Sequence, residues 1–218
     1  MKSVLISIRP RWCELIANGE KTIEVRKTRT KIETPFKCYI YCTKDAKDTD
    51  RLWILNEQRR TEYGGLAAVC ANLEENPAAH RIGNGQVIGE FVCDEIFPIR
   101  VFENGTIQDY MFHRMEKSCV PYEDIANYIG NDRGGYGWHI SDLKIYDKPR
   151  ELSEFFTADK EAIRQCENRK QSYYAFTDTG YIKNGFYCKK KDDWCFGGCK
   201  RKVLTRPPQS WCYVEELP

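Results

Sequence analysis

Apolar positions along the first forty residues alternate between two periods. Val4 to Ile8 is a short, mostly apolar run rich in β-branched residues, which predicts a strand. Pro10 suits the first position of a helix, where its missing N–H would be unpaired in any case. Trp12, Leu15 and Ile16 follow at the i, i+3, i+4 spacing of one helix face. Asn18-Gly19 stops that helix, because glycine tolerates the left-handed conformation of a C-terminal cap. Thr22-Ile23-Glu24-Val25-Arg26 then alternates polar and apolar, a strand with Glu24 and Arg26 on one face. Phe36 to Cys42, aromatic and β-branched, is a third strand.

Farther along, the signals are more mixed. Residues 44–86 read as an insertion, with a helix around Asp50 to Arg60 and repeated Gly, Asn and Pro punctuation after it. Val87 to Phe97 is one strong strand, where Gly89 marks a bulge or a close backbone approach. Asn104-Gly105 is a turn signal. Pro121 to Ile129 is a short helix with Ile125, Tyr128 and Ile129 on one face and Gly130 as its stop. Gly134-Gly135-Tyr136-Gly137 reads as a loop, and Trp138 to Tyr146 as the strand it leads into. After Lys148-Pro149 the composition shifts. A polar helix over 157–170 precedes a segment dense in Cys, Lys and Gly, and Trp211 to Val214 is a last strand. The pattern predicts an α+β fold around a partly closed sheet, with a domain over 1–150 and an extension over 151–218, from which Trp211 to Val214 can return to the first domain's sheet as an extra strand.

Composition changes this picture modestly. With 218 residues, 41% hydrophobic and 30% charged, the chain can bury a core of ordinary size. No stretch reaches the about 18 consecutive apolar residues of a membrane span. The N-terminal apolar run is too short for the core of a signal peptide, so a cytoplasmic location is expected. The formal net charge is only +2, yet residues 1–37 hold nine Lys/Arg against four Asp/Glu, and 183–218 hold eight against four. Such polarity can focus an anionic ligand on one face, or it can be a solvated mixed surface.

The charged residues of the helix-to-strand corner, Lys21, Glu24 and Arg26 behind Gly19, form a G-x-K-x-x-E-x-R pattern. Strict alternation would put Lys21 opposite Glu24, but a turn through Gly19-Glu20 can rotate it back, so that all three share one cleft. By spacing alone they could equally be the wet face of a strand. Burial and a neighbouring cation both disfavour a charged amine, and a neutral Lys21 could act as base or nucleophile with Glu24 relaying the proton. Alternatively Glu24 pairs with Lys21, and the trio binds: two cations for a phosphate, and Glu24 for the amino group of a base.

The block from Ile8-Arg9-Pro10 through Trp12 to Asn18-Gly19-Glu20-Lys21-Thr22-Ile23-Glu24-Val25-Arg26 resembles the ASCH domain of the PUA-like superfamily. Gly85-Gln86-Val87-Ile88-Gly89-Glu90-Phe91 and Gly137-Trp138-His139-Ile140-Ser141-Asp142-Leu143 resemble its later strands, in the version common in bacterial and prophage proteins. The resemblance covers roughly residues 2 to 150. It implies a small β-barrel with flanking short helices and a cleft beside the motif that takes RNA or a modified nucleoside. Some relatives resemble amidohydrolases acting on N4-acetylcytidine, and their catalytic lysine maps onto Lys21. They carry threonine where this chain has Glu24, and a further acidic residue for which Glu123 or Asp124 are the nearby matches. Trp12, Tyr136 and Trp138 are candidates to stack on a nucleobase, each with a core role as its alternative, and Arg9 and Arg11 could touch phosphates.

Eleven cysteines occur in the chain. Cys13, Cys38, Cys42, Cys70, Cys93 and Cys119 lie singly in apolar or strand-like segments and read as small buried hydrophobes. Cys188, Cys195, Cys199 and Cys212 are different, because four thiolates suit a structural Zn²⁺ and Gly197-Gly198 would let the loop bend around it. Cys166 could replace one member, and unligated thiols are the alternative. A small metal-stabilised extension follows, since so polar and turn-rich a segment buries little apolar surface. Three functions fit these residues: an RNA- or nucleotide-binding module, an amidohydrolase or weak ribonuclease centred on Lys21, and a phage or host interaction protein acting through 44–86.

Overall fold

The computed structural model describes residues 2–44, 52–54, 80–82, 85–108, 112–158, 176–177, 180–181, 186–189, 193–195 and 201–217. They belong to two units, Met1–Leu152 with Arg206–Pro218, and Ser153–Thr205.

In the first unit β1 (Lys2–Ile8) lies inside a five-stranded sheet, which explains why six of its seven residues are buried. It pairs parallel with β3 (Phe36–Cys42) on one side and antiparallel with β16 (Trp211–Glu215) on the other. β6 (Val87–Cys93) and β9 (Ser141–Arg150) extend the sheet beyond β3, in the order β16-β1-β3-β6-β9. A second sheet of three strands holds β2 (Ile23–Arg26), β8 (Gly134–His139) and β7 (Ile96–Arg100), in the order β2-β8-β7. The helices are short: α1 (Pro10–Ala17), α2 (Phe112–Glu116) and α3 (Tyr122–Ile129). The fold is therefore sheet-dominated with a few short helices, and its two larger sheets have five and three strands.

Each face of the small sheet has its own core. Ile23, Val25, Phe97 and Ile99 cluster with Met115, Ile125 and Ile129 from the helices. On the other face Trp138 joins Val4, Ile6, Ile40, Ile88 and Phe91 of the large sheet. Glu24 and Arg26 stand directly opposite Trp138 and Tyr136 in the ladder. Residues directly opposite share a face of a sheet, so the motif's charged pair turns toward the large sheet rather than toward water.

Several elements depart from the sequence pattern. The long strand expected over Val87 to Phe97 is two strands in different sheets. The chain breaks at exposed Asp94 and Glu95, which pair with His139 and Arg114. The strand expected from Trp138 to Tyr146 is likewise split, at Ile140. Gly134 to Gly137 form a strand rather than a loop, because here glycine supplies room. A Cβ on Gly135 would lie 2.6 Å from Ile129 Cδ1, and one on Gly137 would strike the Phe97 ring. Gly89 does mark a close approach, its Cβ position lying 2.5 Å from the Lys144 carbonyl beside a register shift.

Within the insertion, β4 (Leu52–Ile54) pairs antiparallel with β5 (His80–Ile82). Leu52-Trp53-Ile54, apolar and partly β-branched, is thus strand where a helix was expected, and the rest of that helix lies outside the described residues. So does most of 44–86, together with Cys70. In the second unit β10 (Phe156–Ala158) pairs with β15 (Arg201–Val203), and β11 (Phe176–Thr177) with β12 (Gly180–Tyr181). Thr157 and Ala158 are strand where a helix was expected, and 159–170 lie outside the described residues. β13 (Phe186–Cys188) pairs with β14 (Asp193–Cys195), matching Cys188 to Asp193 and Phe186 to Cys195. The two cysteines thus occupy diagonal register positions of one hairpin. Cys199 and Cys166 lie outside the described residues. Cys212 is in β16, opposite Leu5.

Candidate functional site

The corner that carries the motif is built by its glycine. Gly19 has φ +74°, a conformation that only glycine adopts without strain. The Glu20 N–H bonds to Leu15 O at 3.0 Å and the Gly19 N–H to Ile16 O at 2.9 Å, a Schellman cap that ends α1. The chain then reverses, and Lys21 enters the protein ahead of β2 rather than within it. Strand alternation therefore does not govern its side chain.

Lys21 is 1% exposed. Its Nζ donates to Ile23 O and Ser118 O, both at 2.7 Å, and lies 3.2 Å from Glu24 Oε2. The other carboxylate oxygen, Glu24 Oε1, is 3.0 Å from Arg26 Nη2, which also donates to Ser7 O at 2.6 Å. Arg26 Nη1 reaches Ser210 Oγ at 3.4 Å, while its buried Nε has no partner among the described residues. The three side chains form one continuous row, cation–anion–cation, held at both ends by backbone carbonyls. They are not a wet strand face.

This row borders a cavity of about 560 Å³. Arg9, Arg11 and Trp12 line it from the start of α1, and Val120, Asp124, Ile125 and Tyr128 from the region of α3. Gln209 contributes from the segment just before β16. Ser7 fixes that segment by donating from Oγ to Pro208 O at 2.6 Å and from N to Ser210 O at 2.8 Å. Arg9 and Arg11 are exposed, and Arg11 lies 4.3 Å from the Trp12 ring centroid.

The sequence-derived candidates thus divide. Lys21, Glu24, Arg26, Arg9 and Trp12 all line the cavity. Gly19 does not: it is exposed and serves as the helix cap. Trp138 is a correction, for it is 0% exposed, packed edge-on against Phe36 and tilted against Trp211. It sits in the core because its face of the small sheet looks into the space between sheets. Tyr136, half-buried on the same face, packs against that core and is not among the lining residues. Of the two acidic candidates Asp124 lines the cavity and Glu123 does not. Ser7, Thr43, Tyr128 and Gln209 were not singled out for this role by the sequence. Asp124 and Tyr128 carried a signal, since they stand one helical turn apart and flank buried Ile125. Gln209 carried none, because its place follows from the pairing of β16 with β1 and not from a local pattern.

Four of the described cysteines are poor nucleophiles. Burial pushes the Cys13 and Cys38 thiols well above their ordinary value, and carries Cys93 to about 12 and Cys212 to about 11. Among the described residues no group of His, Cys, Asp and Glu is arranged to hold a metal ion. No helix of the described residues is long and apolar enough to cross a membrane.

No protein-family model and no curated protein matches the chain. Among solved structures the chain is similar to the ASCH protein of Zymomonas mobilis, with a TM-score of 0.44 and 15% identity over 81% of this chain and 89% of that one. Two variants of the same protein give TM-scores of 0.43 and 0.41 at 14% identity, covering 84% and 83% of this chain and 91% and 88% of theirs.

Proposed function

We propose that this chain is an RNA- or nucleotide-binding module of the ASCH, PUA-like type, with the Lys21–Glu24–Arg26 row as the inner wall of its binding cavity. The observation that carries the reading is the composition of that single cavity. An exposed arginine pair, Arg9 and Arg11, stands at its rim and a fixed cation–anion–cation row lies deeper in. Cations at a rim suit a phosphate backbone, and a carboxylate deeper in, here Glu24, suits the amino edge of a base. The volume falls in the range of small-ligand sites, roughly 300–1,000 Å³. Titrating a single-stranded RNA hexanucleotide into the protein at several salt concentrations tests this. Binding that weakens as salt rises supports it, and no binding at low salt contradicts it.

A second reading is favoured by one observation: Asp124 contributes a carboxylate to the cavity that Lys21 and Glu24 also line. Such a pair could hydrolyse an acylated nucleoside or cleave RNA, with Lys21 and Glu24 as the catalytic groups. Against it, all three donors of a Lys21 ammonium have acceptors in place, which serves a held charge better than an attacking amine. Asp124 is exposed, so Asp124→Asn should keep the fold; loss of turnover with binding intact would favour catalysis.

For the second unit the proposal is a structural zinc held by thiolates of Cys188, Cys195 and Cys199, with Cys166 taking the place of Cys212, which lies in β16 of the first unit. The diagonal register of Cys188 and Cys195 on one hairpin supports it. Metal analysis of protein purified under reducing conditions should find about one zinc per chain, and about zero would remove the proposal.

A further inference from the structure

Two aromatic rings border the cavity, and they differ in what already covers them. Trp12 holds two cations, with the Arg11 guanidinium 4.3 Å and the Lys21 ammonium 5.4 Å from its ring centroid. Its indole is committed to screening the buried lysine. Tyr128, on the opposite helix, is 41% exposed and lines the same cavity. Lys27 Nζ stands 5.1 Å over its ring. A single exposed aromatic is ordinary on a protein surface. An exposed ring that walls a cavity also lined by a pair of arginines, and braced by a cation, is a different arrangement.

We infer that Tyr128 is the platform on which one unpaired nucleobase of a single-stranded nucleic acid stacks, while its phosphates run along Arg9 and Arg11. The inference rests on the nucleotide-binding reading of this cavity and adds the ligand's form. An aromatic face accepts the plane of any base, so the stack selects for an unpaired base and not for a sequence. A base within a duplex is already stacked on its neighbours and is closed to such a ring. Placement on α3 fits the role, because Ile125 and Ile129 anchor the helix in the core at 1% exposure each and keep Tyr128 at the surface, where Lys27 is the one cation over its ring among the described residues.

The test compares three probes of equal charge: hexa-adenylate, hexa-uridylate and a fully abasic hexanucleotide. Each is titrated into the wild-type protein, Tyr128→Ala and Tyr128→Phe, with thermal melting to confirm that both variants fold. Tyr128→Ala should weaken both base-bearing probes by roughly 5- to 150-fold, the range of one lost base–aromatic stack. It should leave the abasic probe unchanged, and Tyr128→Phe should restore wild-type affinity. If Tyr128→Ala binds hexa-adenylate and hexa-uridylate as the wild type does, the stacking role is overturned while the binding function stands. Equal loss on the abasic probe overturns it too. If the wild-type protein binds none of the three probes, the nucleotide-binding reading itself falls, and the inference with it.

Discussion

The inner wall and the rim of the cavity are both rich in charge, yet they are built to different ends. On the inner wall Lys21, Glu24 and Arg26 are nine-tenths or more buried, and each finds its partners within the protein. At the rim Arg9, Arg11, Asp124 and Tyr128 are mostly exposed and project from helices that are anchored elsewhere. The same residue types therefore carry different consequences. On the wall a charge is held by the fold and helps hold it: Lys21 ties the start of β2 to Ser118, 97 residues along the chain. At the rim a charge can change without disturbing the core, which leaves it free to serve a ligand.

The largest way to test that contrast is to remove the shared anion. Glu24→Ala would leave Lys21 and Arg26 buried and facing one another without a counter-ion. Truncating one member of a buried charge group costs about 3–5 kcal/mol, so the expected result is a large fall in the chemical-denaturation midpoint. A change near zero would mean that water reaches the row freely.

Gly137→Ala should act next most strongly, because the new methyl would meet the Phe97 ring inside the helix-facing core. Overpacking of this kind costs about 1–3 kcal/mol and would appear as a lowered melting temperature with the rim intact. The rim variant Arg9→Ala should show the reverse: melting unchanged within about 0.5 kcal/mol, as for most surface substitutions, and weaker binding of RNA.

The smallest effect concerns pH. Burial alone would raise the Asp94 carboxyl, but the hydrogen bond with His139 Nδ1 at 2.7 Å, its own backbone N–H, the nearby imidazole charge and Ser141 together outweigh it and hold the carboxyl below its ordinary value. A depressed carboxyl contributes stability that is fully present above the unfolded value, about 3.9. That contribution is lost as pH falls through the lower folded value. Asp94→Asn should therefore flatten the acid side of the stability profile slightly, and an unchanged profile would discount the pair.

Much of the wall could be read from the chain, and of the rim Arg9, Arg11 and Asp124 but not Tyr128. Gly19 as a cap, the helix from Pro10 and the alternation through Arg26 are local matters, decided within a few residues, so spacing disclosed them. That the alternating face turns inward depended on the large sheet lying opposite it. Trp138 was misplaced for the same reason: a tryptophan after three glycines looks like a loop aromatic until Phe97 and Ile129 show why those glycines are small. Gln209 reaches the cavity, and Ser210 reaches Arg26, through the pairing of β16 with β1, some two hundred residues apart in sequence, and spacing within the segment does not say which residues that pairing delivers.

The central claim is that the rim meets a phosphate backbone while the inner wall stays part of the fold. The salt dependence of RNA hexanucleotide binding, measured side by side for the wild-type protein and Arg9→Ala, tests it most directly. Each phosphate contact to a single strand contributes about 0.7 to the slope of log affinity against log salt. The expected result is a negative slope for the wild-type protein and one shallower by about that amount for Arg9→Ala, with both melting alike. Equal slopes and equal affinities for the two proteins would contradict the account.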